Sequence, residues 1–177
     1  MRPLRLGLTI ALSMLVGTLV AADPSSIAPA IPNARTPLAG VLSGGQPTPE
    51  QIAEAATGGF HTVINLRGPD EPGYEWEQAA VERAGMRYVH IPVARATDLT
   101  RENVERLDAA LRSAIDAGPV LLHCASGNRI GAMLALREAW LRGTDPAEAL
   151  RLGRAAGLTK LEPDVRALLG LPAEPAP

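Results

Sequence analysis

The chain contains a single cysteine among 177 residues, and aromatic side chains make up only 3% of it. One cysteine cannot form a disulfide within the chain, nor can it supply a cysteine-rich metal site. His, Cys, Asp and Glu are nowhere grouped at the spacing of metal ligands. With so few aromatic residues, we expect a core of Leu, Val, Ile and Ala and no metal site.

A strong excess of either charge is also missing, because 17 basic residues are matched by 19 acidic ones and the net charge is −2. The basic residues are scattered along the chain, which argues against a nucleic-acid partner. Internal repeats are absent. Hydrophobic residues form 46% of the 177 residues, which is enough for one modest core and not for two.

One long apolar run lies near the N-terminus. Arg2 and Arg5 precede apolar residues 6–20, and small residues follow the run. This pattern predicts a secretory signal peptide over residues 1–22, removed before Asp23. We therefore expect an exported protein, periplasmic or secreted, that does not contact the membrane beyond its export signal. An uncleaved anchor is the alternative, although the run is short for a membrane span.

The rest of the chain divides into two proline-rich end segments and a longer segment between them. Residues 23–37 are rich in Pro and Ala and are predicted to form an extended linker. Residues 38–171 are predicted to form one domain, and residues 172–177, with three prolines, a disordered tail.

Strand and helix signals alternate within that domain. Short β-branched or apolar segments at 62–66, 87–91 and 119–122 predict strands. Three residues are suited to cap the helices that follow them: Thr48, Thr100 and Asp145. Further helices are predicted over 74–84 and 130–141. This alternation predicts an α/β fold, with a central parallel or mixed sheet of about four strands flanked by helices.

The lone Cys124 follows the last predicted strand and begins a small-residue loop that leads to Arg129 and a helix. The N–H groups of such a loop and the N-terminus of a helix stabilise an anion, and arginine offers a planar donor fork. We expect the sulfur to be held ionised at the mouth of a ring of amides. The residues expected to form this anion-binding ring are Ala125, Ser126, Gly127, Asn128 and Ile130. A buried packing cysteine is the alternative interpretation.

The loop over 123–131 resembles the signature of the protein tyrosine and dual-specificity phosphatases. It is more similar still to bacterial phosphatase-like domains found alone or attached to beta-lactamase-like hydrolases. Segments 43–48, 59–67 and 84–93 are similar to that family in order and spacing. The resemblance implies a cysteine-phosphatase-like fold, with Cys124 as nucleophile and a phosphorylated substrate or other small oxyanion as partner. It implies no cofactor.

Two features depart from the phosphatase pattern. Four residues separate Cys124 from Arg129 where the phosphatases have five, and Ile130 stands where they usually carry a hydroxyl. The spacing resembles the persulfide loop of single-domain rhodaneses, although their usual Gly-His-Ile-Pro-Gly segment is missing. A sulfurtransferase with a persulfide on Cys124 is therefore one alternative function. A non-catalytic anion-binding module is the other.

A phosphatase of this type needs an acid to protonate the leaving oxygen. Asp98 is the first candidate, because the resemblance places the general acid in the corresponding loop. Its alternative role is to cap the helix that begins near Arg101. Asp70 and Glu71 are lower-ranked candidates in a loop flanked by Pro and Gly, with a solvated loop as the alternative. Arg95, in the same loop as Asp98, is a candidate to bind an anionic substrate.

Two further residues are expected to support the site. The side chain of His123 should point away from the amide ring, since side chains alternate along a strand. We expect it to order the loop and to help set the pKa of Cys124, and not to act as the general base. Arg67 follows a strand end, where it either lines the pocket or pairs with Asp70 or Glu71.

Overall fold

The computed structural model describes residues 31–173. The predicted signal peptide, residues 23–30 of the predicted linker and the end of the predicted tail lie outside the described residues.

Five strands form one mixed sheet with the order β1-β2-β5-β3-β4. The strands are β1 (Arg35–Leu38), β2 (Val41–Gly44), β3 (Thr62–Asn65), β4 (Arg87–His90) and β5 (Val120–His123). β1 is antiparallel to β2, and the other neighbouring pairs are parallel. The helices are α1 (Pro49–Thr57), α2 (Tyr74–Arg83), α3 (Arg101–Ala117), α4 (Asn128–Arg142), α5 (Pro146–Ala155) and α6 (Glu162–Leu168). The predicted α/β class with a mixed sheet is confirmed.

The predicted boundary at residue 38 needs correction, because the fold takes in part of the predicted linker. Residues 35–38 form the edge strand β1, and Ile31 is buried. Pro32 accepts a hydrogen bond from the Gly45 N–H at 2.6 Å. A proline-rich segment is compatible with an edge strand, since one side of such a strand makes no ladder hydrogen bonds.

Alternation along the strands sends side chains into two apolar layers. Val120 and Leu122 of β5 pack in the layer that contains α3 and α4, whereas Leu121 packs in the layer that contains α1 and α2. Both faces of the sheet are therefore covered, as the predicted architecture requires.

The helix starts at Thr48 and Thr100 follow the predicted capping. The Thr48 side chain accepts from the Gln51 N–H at 3.2 Å, and the Gln51 side chain accepts from the Thr48 N–H at 2.9 Å. Thr100 accepts from the Asn103 N–H at 3.2 Å. No helix within residues 31–173 is both long and apolar enough to cross a membrane.

Helices α4 and α5 approach each other closely where Gly131 of α4 faces Gly153 of α5. A Cβ on Gly131 would lie 2.1 Å from the Leu158 nitrogen and 2.6 Å from the Gly153 carbonyl oxygen. This contact places the segment after α5 against the first turn of α4, which is the helix that follows the cysteine loop.

Candidate active site

Four loops meet at the carboxyl ends of the parallel strands, because parallel strands all end at the same edge of a sheet. They are residues 45–48 after β2, 66–73 after β3, 91–100 after β4 and 124–127 after β5. The Gln46 side chain joins two of them by donating to the Gly73 carbonyl at 3.2 Å.

Cys124 lies directly beyond the end of β5, and its side chain is fully buried. Its Sγ accepts a hydrogen bond from the Gly127 N–H at 3.1 Å. Gly127 has φ +96°, a left-handed conformation that favours glycine. A loop amide thus reaches the sulfur, while the side chain itself is buried, and the expectation of an ionised sulfur at the mouth of the amide ring stays a prediction. The short loop closes on the sulfur itself and covers it.

The N-terminus of α4 lies beside this sulfur. α4 begins at Asn128, so the N–H groups of residues 128–130 have no partner within the helix. These groups carry the positive end of the helix dipole, which stabilises a nearby anion. The loop thus combines a sulfur with donors suited to a thiolate or to an oxyanion bound above it.

Arg129 is held by Glu71 from the loop after β3. Arg129 Nη1 and Nη2 donate to the two carboxylate oxygens of Glu71, the second bond being 2.7 Å long. Nη1 also donates to the Val93 carbonyl at 3.1 Å. The bond to Arg129 lowers the pKa of Glu71 to about 2, and the same bond raises the pKa of Arg129. The pair is therefore charged across the physiological pH range.

This pairing leaves one edge of the guanidinium for an anion. Arginine has five N–H donors, of which Glu71 and Val93 take three. The remaining two are the Nε–H and one Nη2–H, which lie on the same edge and suit a bidentate oxyanion. Cys124 lies close enough to contribute to the raised pKa of Arg129, after the larger effect of Glu71.

Arg67 belongs to the same charge cluster and does not line the pocket. Its side chain is buried, its Nε lies 3.4 Å from a Glu71 oxygen, and its Nη2 donates to the Pro72 carbonyl at 2.6 Å. Glu71 also accepts from the Gly68 N–H at 2.6 Å. Of the two predicted alternatives for Arg67, the geometry shows the ion pair with Glu71.

A shallow pocket of about 250 Å³ opens above the loop. It is lined by Val93, Ala94, Arg95, Ser126, Asn128, Arg129 and Leu161. Two of these side chains are cationic, and none of the seven carries a carboxylate or an imidazole. The pocket therefore suits a small anion.

The predicted ring residues divide into different roles. Ser126 lies at the pocket and forms an isolated bridge with Gly45. Asn128 also lines the pocket, but its Oδ1 accepts from the N–H groups of Thr159 at 2.8 Å and Leu161 at 3.3 Å. Its side-chain oxygen thus holds the segment after α5, a contact that sequence reasoning missed.

The two other members of the predicted ring are Ala125 and Ile130. Ala125 is exposed, whereas the Ile130 side chain is fully buried in the core, so only its backbone N–H can serve an anion.

Asp98 lies at the end of a short 3₁₀ helix, Ala96–Asp98, in the loop after β4. Its Oδ2 accepts from the N–H groups of Ala94 at 2.8 Å and Arg95 at 3.0 Å. Thr100, not Asp98, caps α3. Asp98 is not among the residues that line the pocket. The structure thus shows it holding its own loop, and its role as an acid stays a prediction.

His123 points to the opposite face of the sheet from Cys124, the side that strand alternation predicts. It is fully buried and contacts the Glu77 carboxylate of α2 within hydrogen-bond distance. Sequence reasoning did not single out Glu77. A carboxylate in an otherwise regular helix gives no local signal that it faces a sheet.

Residues 36–140 match the family model of the beta-lactamase hydrolase-like protein, phosphatase-like domain. The chain belongs to this family. It is similar to the beta-lactamase hydrolase-like proteins of two Xylella fastidiosa strains, Temecula1 and 9a5c, with 36% identity to each over 117 residues. The match covers 64% of this chain and only 26% of each relative. The family confirms the predicted phosphatase-like class, at the level of the domain.

Solved structures agree with this assignment. A DUF442 protein from Shewanella putrefaciens CN-32 has 26% identity and a TM-score of 0.65, over 82% of this chain and 94% of its own. TpbA from P. aeruginosa has 22% identity and a TM-score of 0.58, over 85% of this chain and 90% of its own. Because the two sequences are only 22% identical, the similarity to TpbA shows that the fold is shared and nothing more. The prediction of a cysteine-phosphatase-like fold is confirmed.

Proposed function

We propose that this protein hydrolyses phosphate monoesters through a covalent intermediate on Cys124. The observation that carries the proposal is the position of Sγ, which accepts from the Gly127 N–H beside the N-terminus of α4, with Arg129 nearby. The phosphatase-like family and the phosphotyrosine bound to the TpbA variant in its crystal structure support a phosphorylated substrate.

In the proposed first step the Cys124 thiolate attacks phosphorus, and the bond from phosphorus to the leaving oxygen breaks. The free edge of Arg129 and the first amides of α4 stabilise the charge on the phosphoryl oxygens. Water then attacks phosphorus, the sulfur–phosphorus bond breaks, and phosphate and the thiolate are released. No carboxylate lines the pocket, so aryl phosphates, whose leaving oxygens need the least protonation, are the favoured substrates.

Hydrolysis of an aryl phosphate by the purified protein tests the proposal. Cys124→Ser should abolish phosphate release, and Arg129→Lys should lower it by at least about tenfold, because lysine lacks the planar fork. Arg151→Lys is the matched control, since that side chain is 66% exposed on α5. Binding of phosphate without turnover would instead identify an anion-binding module.

The sulfurtransferase is a second candidate, and the length of the loop favours it. Only four residues separate Cys124 from Arg129, which is the spacing that resembles the persulfide loop of rhodaneses. In that reaction the thiolate attacks the sulfane sulfur of thiosulfate, sulfite leaves, and cyanide then takes the sulfur from the persulfide as thiocyanate. Thiocyanate release without phosphate release, or a mass increase of one sulfur atom on the isolated protein, would overturn the phosphatase proposal.

We also propose that the protein is exported, which rests only on the pattern of residues 1–22. Fractionation of expressing cells should recover a mature form that begins at Asp23. A full-length chain confined to the cytoplasm would contradict this.

A further inference from the structure

The pocket above the cysteine loop contains a second arginine, since Arg95 lines it together with Arg129. The two arginines differ in their partners. Arg129 is bound by the Glu71 carboxylate and the Val93 carbonyl. Arg95 is exposed, and within residues 31–173 its guanidinium forms no ion pair and donates no hydrogen bond. Its five N–H donors are therefore available to a ligand.

The backbone of Arg95 is held in place by its own loop. Asp98 Oδ2 accepts from the N–H groups of Ala94 at 2.8 Å and Arg95 at 3.0 Å. The Arg95 carbonyl accepts in turn from the Asp98 N–H at 3.0 Å. The nearest carboxylate in the sequence is thus used by main-chain amides and is not an ion-pair partner of the Arg95 side chain.

The same loop brings Arg95 close to Arg129. Arg129 Nη1 donates to the Val93 carbonyl at 3.1 Å, and Val93 precedes Arg95 by only two residues. Two residues span at most about 7 Å of chain. Both guanidinium groups can therefore bind the same small ligand in the pocket.

The rest of the lining limits what that ligand can be. Val93, Ala94 and Leu161 are apolar, and the side-chain oxygen of Asn128 is already bonded to the segment after α5. The pocket volume of about 250 Å³ is small, because ligand pockets typically measure about 300–1,000 Å³. The lining thus offers two cations, an apolar wall and room for a small molecule.

We propose that Arg95 determines substrate specificity by binding a second anionic group of the substrate. The phosphoryl group is bound by Arg129 and the first amides of α4, and Arg95 binds a carboxylate or a further phosphate on the same molecule. The inference rests on the proposed phosphatase function and narrows its substrates to small phosphate monoesters with a second negative group. Two cations that line one pocket repel each other, and a ligand with two anionic groups removes that repulsion.

Aryl phosphonates test this specificity without turnover, because their carbon–phosphorus bond is not broken by the proposed reaction. Titration calorimetry at constant ionic strength compares phenylphosphonate with meta- and para-carboxyphenylphosphonate. We expect the wild type to bind at least one carboxylated compound about fivefold or more tightly than phenylphosphonate. The corresponding carboxamides keep the shape without the charge, and they should bind as phenylphosphonate does.

Arg95→Gln should abolish the preference for the carboxylated compounds. Because Arg95 is exposed, we expect this variant to fold, and its binding of phenylphosphonate shows that the rest of the pocket is intact. Arg151→Gln is the matched control, since it changes the net charge equally at a position of α5 that is 66% exposed. It should keep the wild-type preference.

Equal binding of phenylphosphonate and the carboxylated compounds by the wild type would overturn the inference. A wild-type preference in Arg95→Gln would do the same. In both cases phenylphosphonate would still bind, so the proposed function would stand. If the wild type binds none of the phosphonates, the pocket is not an anion site, and the inference and the proposed phosphatase function are overturned together.

Discussion

The carboxylate of Glu71 and the guanidinium of Arg129 form a two-point ion pair between residues 58 positions apart in the chain. The pair occupies the end of the guanidinium, and Arg129 also lines the pocket above the cysteine loop. The Glu71 carboxylate is also bound by two groups of its own loop, the Arg67 guanidinium and the Gly68 N–H. The orientation of the Arg129 side chain is thus set by a loop that follows a different strand.

Glu71→Gln should weaken anion binding, because an amide can accept at only one of the two positions that hold Arg129. We expect the Kd for inorganic phosphate to rise about tenfold, which corresponds to about 1.4 kcal/mol. Titration calorimetry measures it. Asp70→Asn, exposed in the same loop, is the control and should bind as the wild type does. An unchanged Kd in Glu71→Gln would show that Arg129 needs no partner to keep its orientation.

Two substitutions at Asp98 separate loop support from proton donation. Asn can still accept from the Ala94 and Arg95 amides, whereas Ala cannot. We expect Asp98→Asn to retain most of the aryl phosphatase activity and Asp98→Ala to lose at least about tenfold, through disorder of the loop. Steady-state kinetics with leaving groups of different basicity provide the readout. A loss in Asp98→Asn that grows with leaving-group basicity would instead identify Asp98 as the acid.

Asn128→Ala should release the segment after α5 from the cysteine loop. Three hydrogen bonds to Asn128 Oδ1 would be lost, two from Thr159 and one from the Leu161 N–H. We expect hydrogen exchange at the Thr159 and Leu161 amides to accelerate by about tenfold or more. Thr159→Val removes only the hydroxyl and should have a smaller effect. Equal exchange in Asn128→Ala and the wild type would contradict this.

The acid stability of the protein should depend on Glu162. Its carboxylate accepts from Arg154 Nε at 2.8 Å and Arg166 Nε at 2.9 Å, and chiefly the bond to Arg154 lowers its pKa from 4.5 to about 2. A lowered pKa in the folded state contributes stability that is present above pH 4.5 and lost as the pH falls to about 2.

Urea unfolding of Glu162→Gln across this range provides the test. The variant should be less stable than the wild type above pH 4.5, and the difference should vanish near pH 2. Glu148→Gln is the control, since the ion pair of Glu148 with Arg151 is exposed and screened by solvent. A pH-independent difference would mean that the charge of Glu162 does not contribute.

Much of the scaffold follows from local signals. The capping residues Thr48 and Thr100, and the short apolar strand before Cys124, predict elements that the structure contains. β1 was missed, because a proline-rich segment gives the same pattern whether it is a free linker or an edge strand. Its pairing with β2 depends on residues that are distant in the chain.

The partners of the site residues were harder to predict. Glu71 ranked below Asp98, because a carboxylate in a Pro-Gly loop looks solvated until the fold brings Arg129 to it. Glu77 cannot be identified from the sequence, since helix periodicity shows which residues face inward but not which polar group they meet.

The sequence alone was sufficient to predict the α/β class, the cysteine loop and the helix that follows it, because backbone propensity and side-chain spacing act over a few residues. The tertiary structure decided that the sulfur is covered, that Arg129 is oriented by Glu71, and that His123 meets Glu77. These depend on contacts between distant segments, whose geometry is set by strand order and by the packing of helices on the sheet.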